Sequence, residues 1–250
     1  MSSMSTPAAP QPAFTPPGVS AQPRSLGALM GAALRRPGGR RALSVLSLVL
    51  FVAGVGMFSW PAYTDLIAHW RQGHLKSQFT SPQLQEAYKE GKIKPGQPLT
   101  ILKSKRMGVN VLVVEGTSPS ALKAGAGHYP GTALPCVHGN VAIAGHRTTY
   151  GRPFNKIDTM RTGDIVELIT PFNDCYYETV PAFGGHDNPW VVTPDDFSVV
   201  TQPANKNAFW LTLTSCHPKG SASHRIVLRL KLVKICDPDG TSHCHPVHSA

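Results

Sequence analysis

The chain has 250 residues, 24 Lys and Arg against 14 Asp and Glu, a net charge of +10 and 41% hydrophobic residues, enough for one domain with appendages. Residues 1–60 hold five of the arginines and no acid, so half of the net charge belongs to the N-terminal stretch. The basicity is therefore a local feature. With no basic recognition helix and no aromatic RNA-binding strand in sight, it does not indicate nucleic-acid binding.

Residues 1–34 are rich in Pro, Ala, Ser, Gly and Gln and lack periodicity, and residues 1–41 are read as a disordered cytoplasmic tail. Ala42 to Trp60 carries no charge, and its only polar side chains are three serines. As a helix it would be about 28 Å long, close to the ~30 Å hydrocarbon layer of a bilayer. Arg35, Arg36, Arg40 and Arg41 precede it, and the next basic residue is Arg71. The positive-inside bias puts the N-terminus in the cytoplasm and the rest outside the cell membrane, in a single pass. A cleaved signal peptide is the competing reading. It is disfavoured because the run is long and Phe58-Ser-Trp-Pro-Ala62 lacks a small-x-small cleavage site. A buried helix of a soluble core is the weaker alternative.

Residues 61–98 read as an extracytoplasmic helical stalk and linker. Within them Ser81-Pro82 opens a short helix that Gly91 ends. From Leu99 the texture changes. Leu99–Lys103, Val109–Val114, Asn140–Ala144, Asp164–Thr170, Cys175–Val180, Trp190–Val192, Ala208–Ser215 and Arg225–Val233 have strand character between Gly, Pro, Asn and Asp clusters. Ser118–Ala124 and Pro153–Met160 invite short helices. This predicts a mainly β domain over 99–235, a closed antiparallel barrel of about eight strands. Residues 236–250 form a polar tail bearing His243, His245 and His248.

An external domain folds in an oxidising compartment, and five cysteines leave one thiol over if the rest pair. Cys236 with Cys244, and Cys136 with Cys175, would complete such a set; buried free thiols at Cys136 and Cys175 are the alternative. Cys136-Val-His138, Cys216-His217 and His243-Cys-His245 lack the ligand spacing of a zinc site, and Asp195-Asp196 is the one adjacent acidic pair in the barrel region. No metal and no cofactor is expected.

Chemistry concentrates at two strand ends. Cys216 follows the apolar run ending at Ser215, and Arg225 opens the next strand after a polar loop. Antiparallel pairing of these strands would set thiol and guanidinium side by side. His146 ends the Val-Ala-Ile-Ala-Gly run. Thiolate is a strong nucleophile toward a peptide carbonyl, imidazole can exchange a proton with an amine, and guanidinium is a permanent cation suited to an oxyanion. Arg147, Arg229, His128 and His217 compete for these roles. Arg229 would share a face with Arg225 but lie roughly 13 Å away. Arg147 would point to the opposite face if the strand continued.

Three blocks carry a resemblance. Gly125-Ala-Gly-His-Tyr-Pro-Gly-Thr-Ala133, Gly139-Asn-Val-Ala-Ile-Ala-Gly-His-Arg-Thr-Thr-Tyr-Gly-Arg-Pro-Phe154, and Leu211-Thr-Leu-Thr-Ser-Cys-His-Pro218 followed by Arg225 resemble the sortases, most of all their actinobacterial class E branch. The family commonly has Thr before the cysteine, where this chain has Ser215. The resemblance implies an eight-stranded sortase-like closed β-barrel behind one N-terminal transmembrane helix. It implies a cysteine transpeptidase that cuts a C-terminal sorting signal, Leu-Ala-x-Thr-Gly or Leu-Pro-x-Thr-Gly, between Thr and Gly. The product would be a thioester, resolved by an amine of a cell-wall precursor peptide. Cys216 would be the nucleophile, His146 the acid and base, and Arg225 the substrate or oxyanion ligand. Tyr150, Thr148, Ser215 and His128 would contribute to the substrate site, Tyr150 by shaping the pocket that favours Ala over Pro. The rivals are a pilus-polymerising sortase, a cysteine protease ending in hydrolysis, and a non-catalytic surface-binding module on the same barrel.

Overall fold

In a computed structural model the described residues are 27, 37–238 and 243–247. The predicted tail over 1–41 therefore falls mostly outside them, as does His248. Two compact units divide the chain, one ending at Val55 and one beginning at Gly56.

A single helix, α1 (Pro37–Phe79), starts before the expected span and runs on through Pro61. It is long and apolar enough to cross a membrane, and its most apolar window is wholly unburied. Leu46, Val49, Leu50, Phe51, Val52 and Phe58 are all exposed, as a lipid-facing surface requires. Beyond Gly56 the helix behaves differently. Thr64, Ala68, Leu75 and Phe79 are buried. The Gln72 amide donates to the carbonyls of Leu112 and Ala124 and accepts from the Leu112 N–H. The segment read as a stalk thus packs on the outside of the barrel. Leu75, Phe79 and Leu84 join Leu112, Val114, Ala121 and Ala124 in a second apolar cluster. Leu84 belongs to α2 (Pro82–Lys89), capped by the Ser81 hydroxyl.

The barrel strands are β1 (Pro98–Ser104), β2 (Val109–Glu115), β3 (Ala126–His128), β4 (Gly139–Gly145), β5 (Ile165–Ile169), β6 (Asp174–Thr179), β10 (Phe209–His217) and β11 (His224–Cys236). A short helix, α3 (Pro119–Leu122), links β2 to β3. In the order β10-β4-β3-β2-β1-β5-β6-β11, pairing of β10 with β11 closes an eight-stranded ring. β7 (Ala182–Phe183) and β8 (His186–Asp187) form a separate hairpin, while β9 (Trp190–Val192) and β12 (Cys244–Pro246) flank β11. The expected Trp190–Val192 strand is therefore no stave. The eighth stave is β3, three residues inside what reads as a Gly-rich turn. Its room comes from Gly127, where a Cβ would lie 2.2 Å from the Gly116 carbonyl oxygen.

The ring is also not uniformly antiparallel: β2–β3 and β4–β10 run parallel. The α3 crossover and the long excursion from β4 to β10 return the chain in the same direction, which a hairpin cannot do. Inside the ring Leu102, Val113, Val141, Ile143, Phe154, Tyr177, Leu211, Leu213, Leu228 and Leu230 make the core. Two disulfides join the cysteines expected to pair, Cys136–Cys175 and Cys236–Cys244, and Cys216 is free.

Candidate active site

Strand parity decides which side chains can meet. In β10, Leu211 and Leu213 enter the core, and Cys216 has the opposite parity. In β4, Val141 and Ile143 enter the core, and His146, one residue past the strand, continues the opposite parity. The register pairs Cys216 with Arg225 and Thr214 with Ala144. Two more residues along the parallel pair bring the His146 position level with Cys216. The three residues thus gather on the outer face of adjacent strands, at the end where β4 and β10 finish. Each is half-buried.

The surroundings hold these strand ends. A Cβ at Gly145 would lie 2.6 Å from the Phe154 ring, so this glycine lets the ring pack against the backbone next to His146. The Phe154 N–H donates to the His146 carbonyl. Burial favours the neutral imidazole and holds the His146 pKa below the ordinary histidine value. The Arg225 guanidinium donates from Nη1 to the carbonyls of Ala222 and His224, both at 3.0 Å, leaving Nε and Nη2 outside these bonds.

Tyr150 lies over the histidine, with ring centroids 5.1 Å apart. Thr148 is half-buried in the same loop. Ser215 is buried, and its hydroxyl donates to the Gly145 carbonyl at 2.7 Å. It ties the cysteine strand to the histidine strand. His128 is interior as well. Its Nδ1 meets Glu115 Oε2 at 2.7 Å, and Nε2 meets the Ala133 carbonyl and the Thr132 hydroxyl. The parallel β2–β3 register sets Glu115 opposite His128.

The competing arginines are committed elsewhere. Arg147 is buried, donates to the carbonyls of Asn155 and Cys216, and pairs with Asp158 at 2.8 Å. Sequence reading missed this brace on the Cys216 backbone, because its other partners, Asn155 and Asp158, lie in the irregular segment after β4 that no strand pattern places. Arg229 is opposite Thr212, buried against Phe183 and Trp210, and donates to the Val199 carbonyl. Burial without an acid lowers its pKa to about 10. Among the described residues no three His, Cys, Asp or Glu side chains gather as a metal site.

Comparison with known proteins points the same way. The Sortase family model, described as a sortase domain, matches residues 102–233. Sortase SrtE1 of Streptomyces coelicolor is 27% identical over 217 residues, which is 80% of this chain but 60% of that protein, less than two thirds of its length. Sortase D of Bacillus subtilis is 29% identical over 159 residues, 62% of this chain and 74% of that protein. A crystal structure of sortase E1 from Streptomyces coelicolor with a tripeptide in the active site superposes with a TM-score of 0.52. At 28% identity it takes in 60% of this chain and 97% of that one.

Proposed function

The chain belongs to the sortase family, and from that premise we propose that it is a membrane-anchored cysteine transpeptidase. Its substrates are secreted proteins bearing a C-terminal Leu-Ala-x-Thr-Gly or Leu-Pro-x-Thr-Gly signal, and its acceptor is an amine of a cell-wall precursor peptide. The observation that carries this reading is the register pairing Cys216 with Arg225 beside the end of the His146 strand, with Cys216 the free thiol among five cysteines.

The chemistry runs in two halves. The Cys216 thiolate adds to the threonine carbonyl, and the carbonyl π electrons move to oxygen. Arg225 donates to that oxyanion or to the backbone beside it through Nε and Nη2. As the C–N bond breaks, protonated His146 gives its proton to the departing glycine amine, leaving a thioester. An incoming amine then attacks the thioester. Neutral His146 takes the proton of that amine, and Cys216 leaves as the thiolate. Burial of His146 lowers its proton affinity, which favours release of the proton to the glycine amine in the first half and the neutral imidazole that accepts the incoming amine's proton in the second.

Tyr150 and Thr148, in the loop after His146, form part of the wall that meets the signal. Ser215 and His128 support the site from inside the barrel through their bonds to Gly145, Glu115 and Ala133. The N-terminus lies in the cytoplasm and the catalytic barrel outside, in keeping with the arginines ahead of the span and the apolar helix. Anchoring raises the effective concentration of membrane-held substrates without added affinity.

The test is incubation of the purified protein with both signal peptides and a millimolar amine, read by mass spectrometry. Release of the Gly-containing fragment together with an amine adduct on Thr is expected. Hydrolysis alone points to a protease, and no cleavage at all to a binding module.

A further inference from the structure

Where β4 ends, the loop carrying Tyr150 takes an unusual path. Tyr150, Gly151 and Arg152 have φ of 50°, 77° and 49°, three left-handed residues in succession. Two of the three carry side chains, for which this region costs about 1–2 kcal/mol each. Such a run persists only where its surroundings over-determine it.

The surroundings here are α1. The Asp65 carboxylate accepts the Gly151 N–H at 3.0 Å and pairs with Arg152 Nη2 at 2.7 Å. Thr64 and Ala68, on the same helix face, are buried. The Ala68 Cβ stands 3.6 Å from where a side chain at Gly151 would begin. The Asp65 carboxylate therefore grips the run at its middle amide, that of Gly151. The ion pair with Arg152 is half-exposed and contributes little by itself. The backbone amide gives the contact its geometric definition.

We infer that Asp65 is a positioning residue of the site: it holds residues 150–152 in their left-handed path and so fixes the Tyr150 ring against His146. This rests on the reading of His146 and Tyr150 as site residues. It extends that site into α1, more than 30 residues ahead of the first barrel strand. A catalytic unit cut at residue 98 would lack the contact, although it would contain every residue of the barrel.

The experiment uses the full chain in detergent and compares wild type with Asp65→Asn, Tyr150→Ala and the double variant. Asp65→Asn is expected to speed amide exchange over residues 149–152 by about tenfold. It should also shift the ratio of Leu-Ala-x-Thr-Gly to Leu-Pro-x-Thr-Gly cleavage by about threefold, the scale of one hydrogen bond. In the Tyr150→Ala background the same substitution should leave that ratio unchanged, which a general loss of stability would not do. Unchanged exchange in the loop, or an equal ratio shift with and without Tyr150, overturns the proposal. A wild type that cleaves neither peptide overturns the transpeptidase reading instead, and the exchange measurement still decides the role of Asp65.

Discussion

The two ends of the barrel treat sulfur in opposite ways. Where β4 and β10 finish, Cys216 is a free, half-buried thiol among polar side chains. Where those strands begin, Cys136, three residues ahead of β4, is bridged to Cys175 of β6, and Cys236 at the end of β11 is bridged to Cys244 of β12. Cys175 and Cys236 are fully buried. A thiol stays free beside disulfides where no other cysteine reaches it, and both bridges lie at the end of the barrel away from Cys216. The difference teaches that the covalent cross-links and the proposed reacting centre occupy separate ends of one sheet.

Substitutions at each end should therefore fail in different ways. Cys216→Ala is expected to lower signal cleavage by at least about 10³-fold while leaving the thermal midpoint within a few degrees of wild type. Arg225→Lys keeps the charge but loses the planar fork; a drop of roughly 10²-fold in kcat/KM is expected, and near-normal turnover would remove Arg225 from the reacting centre. At the other end, replacing Cys136 and Cys175 by serine should cost about 4 kcal/mol of stability, and replacing Cys236 and Cys244 about 2.5 kcal/mol, from the lengths of the closed loops. Chemical denaturation measures both, and activity per folded molecule should stay near wild type in each. A large activity loss in the folded disulfide variants would break the separation.

A smaller effect concerns pH. The folded-state pKa of His146 is depressed by burial, so the unfolded chain binds its proton more readily. This makes the protein lose stability as the pH falls below about 6.5, the ordinary histidine value, toward the folded pKa. His146→Gln should flatten that part of the stability–pH curve, and an unaltered slope would show that the ring is not buried as described.

The end that holds Cys216 was the more legible in the sequence. Cys216, Arg225 and His146 sit at the ends of runs whose alternation is plain, so pairing and parity place them without any long-range information. Seven of the eight staves follow from the same alternation. β3 escaped because three residues, one of them glycine, carry no period. Its place depends on pairing with β2 and β4, partners that no local pattern reveals. The helix contacts escaped for a related reason. Thr64, Asp65, Ala68 and Gln72 follow a membrane span without a break in helical texture, and their buried face is set by the barrel rather than by their own hydrophobicity. Ser215 and His128 look like site residues by position, yet their hydrogen bonds run inside the fold. Polar side chains at a strand end can equally well serve its backbone.

The most direct test of the central claim is non-reducing peptide mapping of the protein quenched in acid during turnover of a signal peptide. The account predicts a thioester of the signal's N-terminal fragment on residue 216, with the 136–175 and 236–244 bridges intact in the same molecules. An acyl adduct on another residue, or residue 216 found in a disulfide, would contradict it.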